Sequence, residues 1–545
     1  MSSLAISDSI SPHNGIRKYI LFLFTLLLNA NLLIGQNVTE IEILNADIIK
    51  ADKQIGKGAQ KLLGNVRLRH EDAIMTCDSA YVYSETYSMD AFSNVTFEQG
   101  DTLFLYGNKA HYEGESRIAQ VRNNVKLIDN ETVLLTDYLD YNRDTETAYY
   151  LGGGTITEDE NKLSSMEGYY YAETEVFHFK DSVVIVNPDY NIYSDTIQYN
   201  TATGVSYFFG PTEIIGEENY LYCESGWYDT EQDISLLDKN TFLESEGRTL
   251  KGDTLYYERE IGYGRARSNV ELFDSAQNVY LKGNFGVYYE EDQRAMLTDS
   301  ALMIQVQEED SLYVHADTLR SVIDTSDVER HILLAYYKVK IFRKDIQGMC
   351  DSLAYHEKDS TFNLHGSPII WADENQITAS EIDIKIKNQQ LNKLYLRNIA
   401  LLISKEDTVK FNQIRGKNMT GYFKNNDLIR LDVNGNGQSI YYAVDQEQVI
   451  GVNKAECSDL IIYLEDNKVS RVNYLVQPTG KYYPISMFPK EMYYLDGFSW
   501  HDQWRPKKFT DIFLWKQKNT AEQDNIANKE NVPEQENITD QAIAD

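Results

Sequence analysis

Short runs of alternating apolar and polar residues recur along most of the chain, and Gly, Asn or Asp separates them. Four of these runs are Val66-Arg67-Leu68, Val95-Thr96-Phe97, Val125-Lys126-Leu127 and Val270-Glu271-Leu272. A period of two predicts β-strands with one buried and one solvated face. Because Gly, Asn and Asp tolerate positive φ, they predict turns between the strands. We therefore expect little helix, and Val, Leu and Phe side chains that point inward.

A longer period organises these runs. A phrase made of a small residue, usually an acid, and alternating positions that often end on tyrosine recurs about every 29 residues, as in Ser194–Tyr199 and Gly252–Tyr257. Aligned on its second residue, it gives thirteen anchors, at 78, 108, 137, 167, 195, 224, 253, 284, 317, 351, 380, 417 and 458. A second phrase, such as Ser93-Asn94-Val95, follows about sixteen residues after an anchor. Such periods predict stacked repeats, each with two strands, that bury apolar faces against their neighbours. Function is then expected along a groove or surface.

Composition supports a sheet protein and excludes one class of partner. Of 545 residues, 42% are hydrophobic, and 40 Tyr against 9 Pro favour strands over helices. The formal net charge of -33 would repel nucleic acid and anionic lipid surfaces, so we expect no nucleic-acid partner. The acidity is typical of a solvated exterior.

The chain is predicted to have four segments. Residues 1–35 resemble a secretory signal peptide, with Arg17 and Lys18 before an apolar run and cleavage after Gly35 or, as an alternative, Ala30. Residues 36–480 hold the repeats. Residues 481–516, rich in aromatic residues, are expected to form a C-terminal cap or docking segment over the last open strand edge. Residues 517–545 are polar and acidic, which predicts disorder.

All four cysteines occupy the small-residue slot of the repeat: Cys77, Cys223, Cys350 and Cys457. If each repeat adds one strand, the nearest two lie on the order of 14 Å apart at roughly 4.8 Å per strand. A disulfide needs Cα atoms within about 7 Å. The cysteines are therefore predicted to be small, buried and unpaired, without a shared metal.

Motifs for catalysis or nucleotide binding are not found in this sequence. Gly152-Gly153-Gly154 lies at the slot of the second phrase and precedes a strand, so it favours a turn over a phosphate loop. The anchor acids are interpreted as turn caps that accept backbone N–H bonds. No repeat concentrates Asp, Arg and Lys, so we predict no enzyme, no metal site and no cofactor.

The repeats resemble the OstA-like, or LptA-type, family of lipopolysaccharide-transport proteins, in the longer form found in Bacteroidetes. The resemblance covers roughly residues 38 to 510 and rests on Leu63-Gly64-Asn65-Val66, the recurrent Asp-x-Leu-x-Tyr strands, the opening at Ile41–Asp47 and Arg505-Pro506-Lys507 near the end. It implies an all-β, elongated, twisted β-jelly roll of about thirteen stacked two-stranded repeats, whose apolar groove shields acyl chains. It also implies a non-enzymatic bridge in the periplasm, with association with the outer membrane left open.

Implied partners are lipopolysaccharide or lipid A and the transport proteins of both membranes. End-to-end self-association is an open alternative, although the length of the chain makes assembly of many copies less necessary. The acidity suggests that the head group meets the protein little or through divalent cations.

We expect thirteen inward side chains to line the groove: Val66, Leu68, Val95, Phe97, Val125, Leu127, Leu139, Val183, Ile185, Ile197, Leu255, Val270 and Leu272. A closed core gives the same alternation as an open groove. Two alternatives therefore stay open: a closed-core β-solenoid scaffold or surface adhesin, and, less favoured, a polysaccharide-processing enzyme.

Overall fold

The computed structural model describes residues 41–515, except 52–55, 57, 71–72, 101–102, 130, 189, 218, 246, 277, 290, 293, 307–309, 324–330, 357–358, 388–389, 446–447 and 466–467. The predicted signal peptide and acidic tail lie outside the described residues. Within them the chain forms 32 β-strands and four short 3-10 helices. No helix in this part of the chain has the length and apolar character needed to span a bilayer.

The chain divides into two compact units. Unit 1 comprises residues up to Tyr337 together with Leu353–Phe362, and unit 2 comprises Lys338–Ser352 and the residues from Asn363 onward. Nine of the thirteen repeat anchors fall in unit 1 and four in unit 2.

Unit 1 holds the strands β1 (Glu42–Asn45), β2 (Ile48–Ala51), β3 (Ala59–His70), β4 (Ala73–Tyr83), β5 (Ser88–Gln99), β6 (Leu103–Glu113), β7 (Ile118–Asp129), β8 (Thr132–Asn142), β9 (Thr147–Glu158), β10 (Asn161–Tyr171), β11 (Val176–Val186), β12 (Tyr190–Asn200), β13 (Val205–Gly216), β14 (Asn219–Asp229), β15 (Ile234–Ser245), β16 (Arg248–Glu258), β17 (Tyr263–Asp274), β18 (Val279–Tyr289), β19 (Arg294–Gln305) and β20 (Leu312–Ile323).

Residues of both units belong to β21 (His331–Phe342), β22 (Ile346–His356) and β23 (Thr361–His365). Unit 2 continues with β24 (Ile369–Ala372), β25 (Asn375–Thr378), β26 (Glu381–Lys387), β27 (Gln390–Lys405), β28 (Phe411–Lys424), β29 (Asp427–Asp445), β30 (Gln448–Glu465), β31 (Lys468–Leu475) and β32 (Thr479–Pro484). Its 3-10 helices are Ile485–Met487, Lys490–Met492, Asp502–Trp504 and Phe509–Phe513.

The strands of unit 1 stack in chain order. From β3 to β20 each strand pairs antiparallel with the next, so each 29-residue repeat adds two strands. β1 and β2 both pair with β3, one at each end of that strand. The predicted all-β fold of stacked two-stranded repeats is confirmed. Because each repeat adds two strands and not one, more strands separate neighbouring cysteines than the sequence-based estimate assumed.

Every long strand of unit 1 is broken near its middle into two arms. In β5 the pairing shifts register between Phe92 and Val95, where Ser93 and Asn94 have φ of 65° and 48°. Ala91 on one arm and Val95 on the other belong to the same buried cluster, so both arms face one interior. The positive φ predicted for this phrase is confirmed, but the predicted turn is wrong. The phrase forms a β-bulge inside a strand, which inserts extra residues and re-aims the chain.

The anchor acids hold these bulges. Asp78 accepts a hydrogen bond from Asn94 Nδ2 at 2.9 Å, and Asp253 accepts two from Asn269 Nδ2 at 3.1 and 3.0 Å. At Asp137 the carboxylate accepts the backbone N–H of Asn124 at 2.9 Å, as predicted for a cap. At Asp78, Glu224 and Asp253 the partner is thus the asparagine side chain of the neighbouring strand.

One anchor is corrected by one residue. Gly168 lies opposite Tyr150 and Phe179 and so takes the inward position two residues after an anchor. The anchor of this repeat is therefore Met166, and not residue 167, with Ser165 in the small slot. The glycines of the preceding bulge, Gly152 and Gly153, have φ of 81° and 107° inside β9, which replaces the predicted turn there.

The last part of unit 2 is a strap, residues 485–515, that crosses the strands instead of extending the sheet. Phe488 and Leu495 pack on Tyr442 of β29, and Phe498 and Trp500 pack on Phe411 of β28. Trp504 and Trp515 pack on the cluster of Met349, Ile369 and Trp371. These strand residues alternate with the inward ones, so the strap covers the outer face of the sheet.

Three buried glutamines fasten the strap. Gln413 Nε2 donates to Tyr493 O at 2.8 Å, and its Oε1 accepts Leu495 N–H at 2.8 Å. Gln376 binds in the same way, to Ser499 O and His501 N–H, both at 2.7 Å. Gln347 accepts Arg505 Nε–H at 2.6 Å. The bonds of Gln413 and Gln376 satisfy backbone groups of the strap, and the bond of Gln347 holds the Arg505 side chain.

Candidate functional site

The interior of unit 1 is packed shut along its first strands. Val66, Leu68, Val95 and Val125 are each 1% exposed, and Leu127 and Leu139 lie in the same cluster with Phe97 packed against it. These seven predicted groove residues therefore pack into one cluster of protein side chains. Between the arms of the strands, the interior is closed at this level of the stack.

Tyr150 fills the interior at the end of this cluster. A Cβ built at Gly154 or Gly168 would lie 2.4 or 2.3 Å from its ring, so both glycines make room for tyrosine. Its hydroxyl lies 2.6 Å from Ser165 Oγ, and burial raises the pKa of Tyr150 to about 12. Beyond it, Val183 and Ile197 lie in a second closed cluster, with Ile185 packed against that cluster.

An apolar cavity opens further along unit 1, between β14 and β21. Its volume is about 190 Å³. Its wall includes Leu255, Val270 and Leu272, the last three predicted groove residues, and further leucines from neighbouring strands, namely Leu221, Leu237, Leu243, Leu250, Leu281, Leu297, Leu319 and Leu333. The same alternation could have indicated these leucines from the sequence.

Small residues at one position of the repeat explain why the cavity lies between β14 and β21. From β8 onward, the inward position two residues after the anchor alternates between large and small along unit 1: Leu139, Gly168, Ile197, Gly226, Leu255, Gly286 and Leu319. A Cβ at Gly226 would lie 2.6 Å from Leu236 O, so the backbone closes that space. At Gly286 the nearest atom, Leu297 Cδ1, would be 3.5 Å away. Gly286 therefore leaves a gap that no neighbour fills.

Three arginines, Arg248, Arg265 and Arg320, and one acid, Asp274, border the cavity. Arg248 Nε lies 3.2 Å from Asp274 Oδ2, and both side chains are largely buried. Arg265 and Arg320 pair across strands with Tyr256 and Met296, which alternate with the inward Leu255 and Leu297. Their guanidinium groups therefore lie on the outer face of the sheet, each over a tyrosine ring. The sequence analysis missed these arginines because they occupy no common slot of the repeat.

Burial also shifts the pKa of other titratable groups in unit 1. Burial raises the pKa of the Cys77 and Cys223 thiols to about 11 each, and all four cysteines are unpaired. Burial also raises the pKa of Glu158, although Thr132 Oγ1 donates to it at 2.8 Å. Over residues 41–515, outside the gaps given above, no group of three His, Cys, Asp or Glu side chains is placed to hold a metal ion.

Comparison with known proteins identifies one family. Residues 38–195 and 192–253 match the family described as OstA-like protein. The crystal structure of LptH from Pseudomonas aeruginosa, described as the LptA homologous periplasmic component of the conserved lipopolysaccharide transport device, is similar at 15% identity with a TM-score of 0.17. That match covers 23% of this chain and 85% of LptH. No curated protein matches the sequence.

Proposed function

Because residues 38–253 make this chain an OstA-like protein over that part of its length, we propose that it is a non-enzymatic periplasmic carrier that moves lipopolysaccharide toward the outer membrane. Its proposed partners are lipopolysaccharide or lipid A and the transport proteins of the inner and outer membranes. End-to-end self-association remains part of the proposal, as does association with the outer membrane.

The observation that supports lipid binding is the apolar cavity of unit 1. Each methylene kept out of water is worth about 0.8 kcal/mol, so an acyl chain favours an empty apolar space over solvent. The volume of about 190 Å³ is below the roughly 300 Å³ typical of small-ligand pockets. We therefore propose that the cavity holds part of one acyl chain and that β14–β21 part further when more chains enter.

Arg248 suggests how the head group is held. Guanidinium groups bind phosphate in a bidentate manner. Arg248 provides such a group beside the leucines of the cavity, where it is paired with Asp274. We propose that it holds the phosphate of the lipid directly.

The closed first part of unit 1 limits the proposal. Val66, Val95 and Val125 are 1% exposed, so the thirteen predicted residues do not form one continuous groove at rest. We propose that lipid resides at β14–β21 and that Leu255, Val270 and Leu272 contact it. The closed clusters favour the second candidate, a scaffold without a ligand, for the other predicted positions.

Site-specific photo-crosslinking separates the two candidates. A photoreactive residue at Leu272 should crosslink to lipopolysaccharide in cells, and one at Leu127, in the closed cluster, should not. Lipid extraction of the purified chain provides a second readout. Crosslinks from neither position, with no co-purified lipid, would support the scaffold. Crosslinks from both would mean that the closed clusters open during transport.

A further inference from the structure

The last turn of the strap presents an apolar and basic face to solvent. Phe509, Phe513 and Leu514 are 46%, 42% and 64% exposed, whereas Ile512, on the other side of the same 3-10 helix, is 1% exposed. Lys507 and Lys508 directly precede these residues. Large exposed apolar side chains are costly in water, so a grouped set indicates a binding surface.

This face is held rigidly on unit 2. Lys340 Nζ, from beneath the strap, donates to Trp504 O and Asp511 O at 3.5 Å each. Arg505 Nη1 donates to Asp373 O at 2.8 Å, in addition to its bond with Gln347. The exposed residues therefore need little ordering when they bind, which lowers the entropic cost of association.

The charge of this segment is opposite to that of the chain. Residues 503–515 contain Arg505, Lys507 and Lys508 against one acid, Asp511. The carboxylate of Asp511 accepts the backbone N–H groups of Lys507 and Lys508 at 2.9 and 3.2 Å, so it is committed to the helix start. Lys507 Nζ also lies 2.7 Å from Asp502 Oδ1, a pair with both side chains well exposed. Such surface pairs exchange readily for other partners.

We propose that this strap face, formed by Lys507, Lys508, Phe509, Phe513 and Leu514, docks on the surface of an anionic lipid bilayer. Aromatic and aliphatic side chains beside lysines are the combination that binds a membrane interface. The net charge of -33 led us to expect repulsion from such surfaces. Distant acids contribute little, because charges beyond about 8 Å are screened at physiological salt.

Vesicle flotation of the full chain, purified from cells, tests this proposal. Vesicles contain phosphatidylcholine alone or with 30% phosphatidylglycerol, a composition of roughly one anionic lipid in three. The chain should float with anionic vesicles at least tenfold better than with neutral ones. Phe509→Ser/Phe513→Ser/Leu514→Ser should lose most of this binding. Lys507→Gln/Lys508→Gln should weaken it on the order of 30-fold, since each lysine near an anionic surface contributes about a fivefold gain.

Met487→Ser is the matched control, because Met487 lies on the same strap and is 73% exposed. It should bind as the unchanged chain does. Unchanged circular dichroism melting of the lysine variant shows that its loss of binding is not unfolding. The proposal is overturned if the chain binds neither vesicle, binds both equally, or keeps its binding in either strap variant. A face that docks on a protein would give the first of these results.

Discussion

Replacing Gly286 and Gly226, two glycines at the same slot of the repeat, tests whether unit 1 contains real empty space. The cavity borders Gly286, where an added Cβ would meet atoms no closer than 3.5 Å. At Gly226 the added Cβ would lie 2.6 Å from Leu236 O. The same substitution should therefore change stability in opposite directions at the two positions.

The magnitudes follow from the local geometry. Gly286→Ala buries one carbon, worth about 0.8 kcal/mol, and removes the flexibility of glycine in a strand, worth about 0.5–1 kcal/mol. The free energy of unfolding should rise by about 1–2 kcal/mol. Gly286→Val buries two more carbons and should add up to about 1.5 kcal/mol more. Gly226→Ala overpacks a backbone contact and should cost about 1–3 kcal/mol.

Urea unfolding of both alanine variants, followed by tyrosine and tryptophan fluorescence, measures these changes. Lipid extraction of Gly286→Val provides the functional readout, because the added side chain occupies the cavity and should reduce bound lipid. A loss of stability in Gly286→Ala comparable to that of Gly226→Ala would refute the empty space. A stabilised Gly286→Val that keeps its lipid would show that the lipid binds elsewhere.

Four further results are expected. Asn94→Val should lower the unfolding free energy by about 1–2 kcal/mol in urea, since a β-branched residue is strained at φ 48° and the bond to Asp78 is lost, whereas Asn94→Gly should cost less. Glu158→Gln should remove a pH dependence of stability. Burial raises the pKa of Glu158 in the folded state, so the native state binds more protons than the unfolded state, and stability falls as pH rises above the unfolded pKa near 4.5. A difference in unfolding free energy between the two chains that stays constant from pH 4 to 8 would contradict this. Thiol-specific reagent at pH 8 should modify Cys77 only after unfolding, because a pKa of about 11 leaves roughly a thousandth of the thiol as thiolate. Rapid labelling of the peptide that contains Cys77, in mass spectra of the folded chain, would be inconsistent with its burial. Gln376→Leu should remove the partner of Ser499 O and of His501 N–H, costing about 1–3 kcal/mol, and hydrogen exchange at 499–501 should accelerate while exchange in unit 1 stays unchanged.

Period-two alternation was enough to predict which side chains point inward. Val66, Val125 and Ile197 all lie in buried clusters, as the pattern requires. It could not predict whether the interior is filled, because that depends on pairs of residues from neighbouring repeats. Tyr150 fills the space above Gly168, and nothing comparable fills the space beside Gly286. A single strand read alone shows neither relationship.

The sequence also left two backbone features undetermined. Asn and Gly tolerate positive φ equally in a turn and in a bulge, so Ser93-Asn94 was predicted at the wrong place in its strand. The strap has no period, and the partners of Gln376 are backbone groups 123 and 125 residues away. Only the tertiary structure brings these groups together.

The neighbour-only pairing of β3 to β20 has a consequence for how unit 1 reaches its native state. Because every partner strand is the next in the chain, each hairpin closes a short loop, and order can spread from any hairpin to its neighbours. Unit 1 can thus acquire structure progressively from its N-terminal strands, before its last strands are available. In unit 2, by contrast, the side-chain amide of Gln376 reaches its final partners only after the strap has folded onto the sheet.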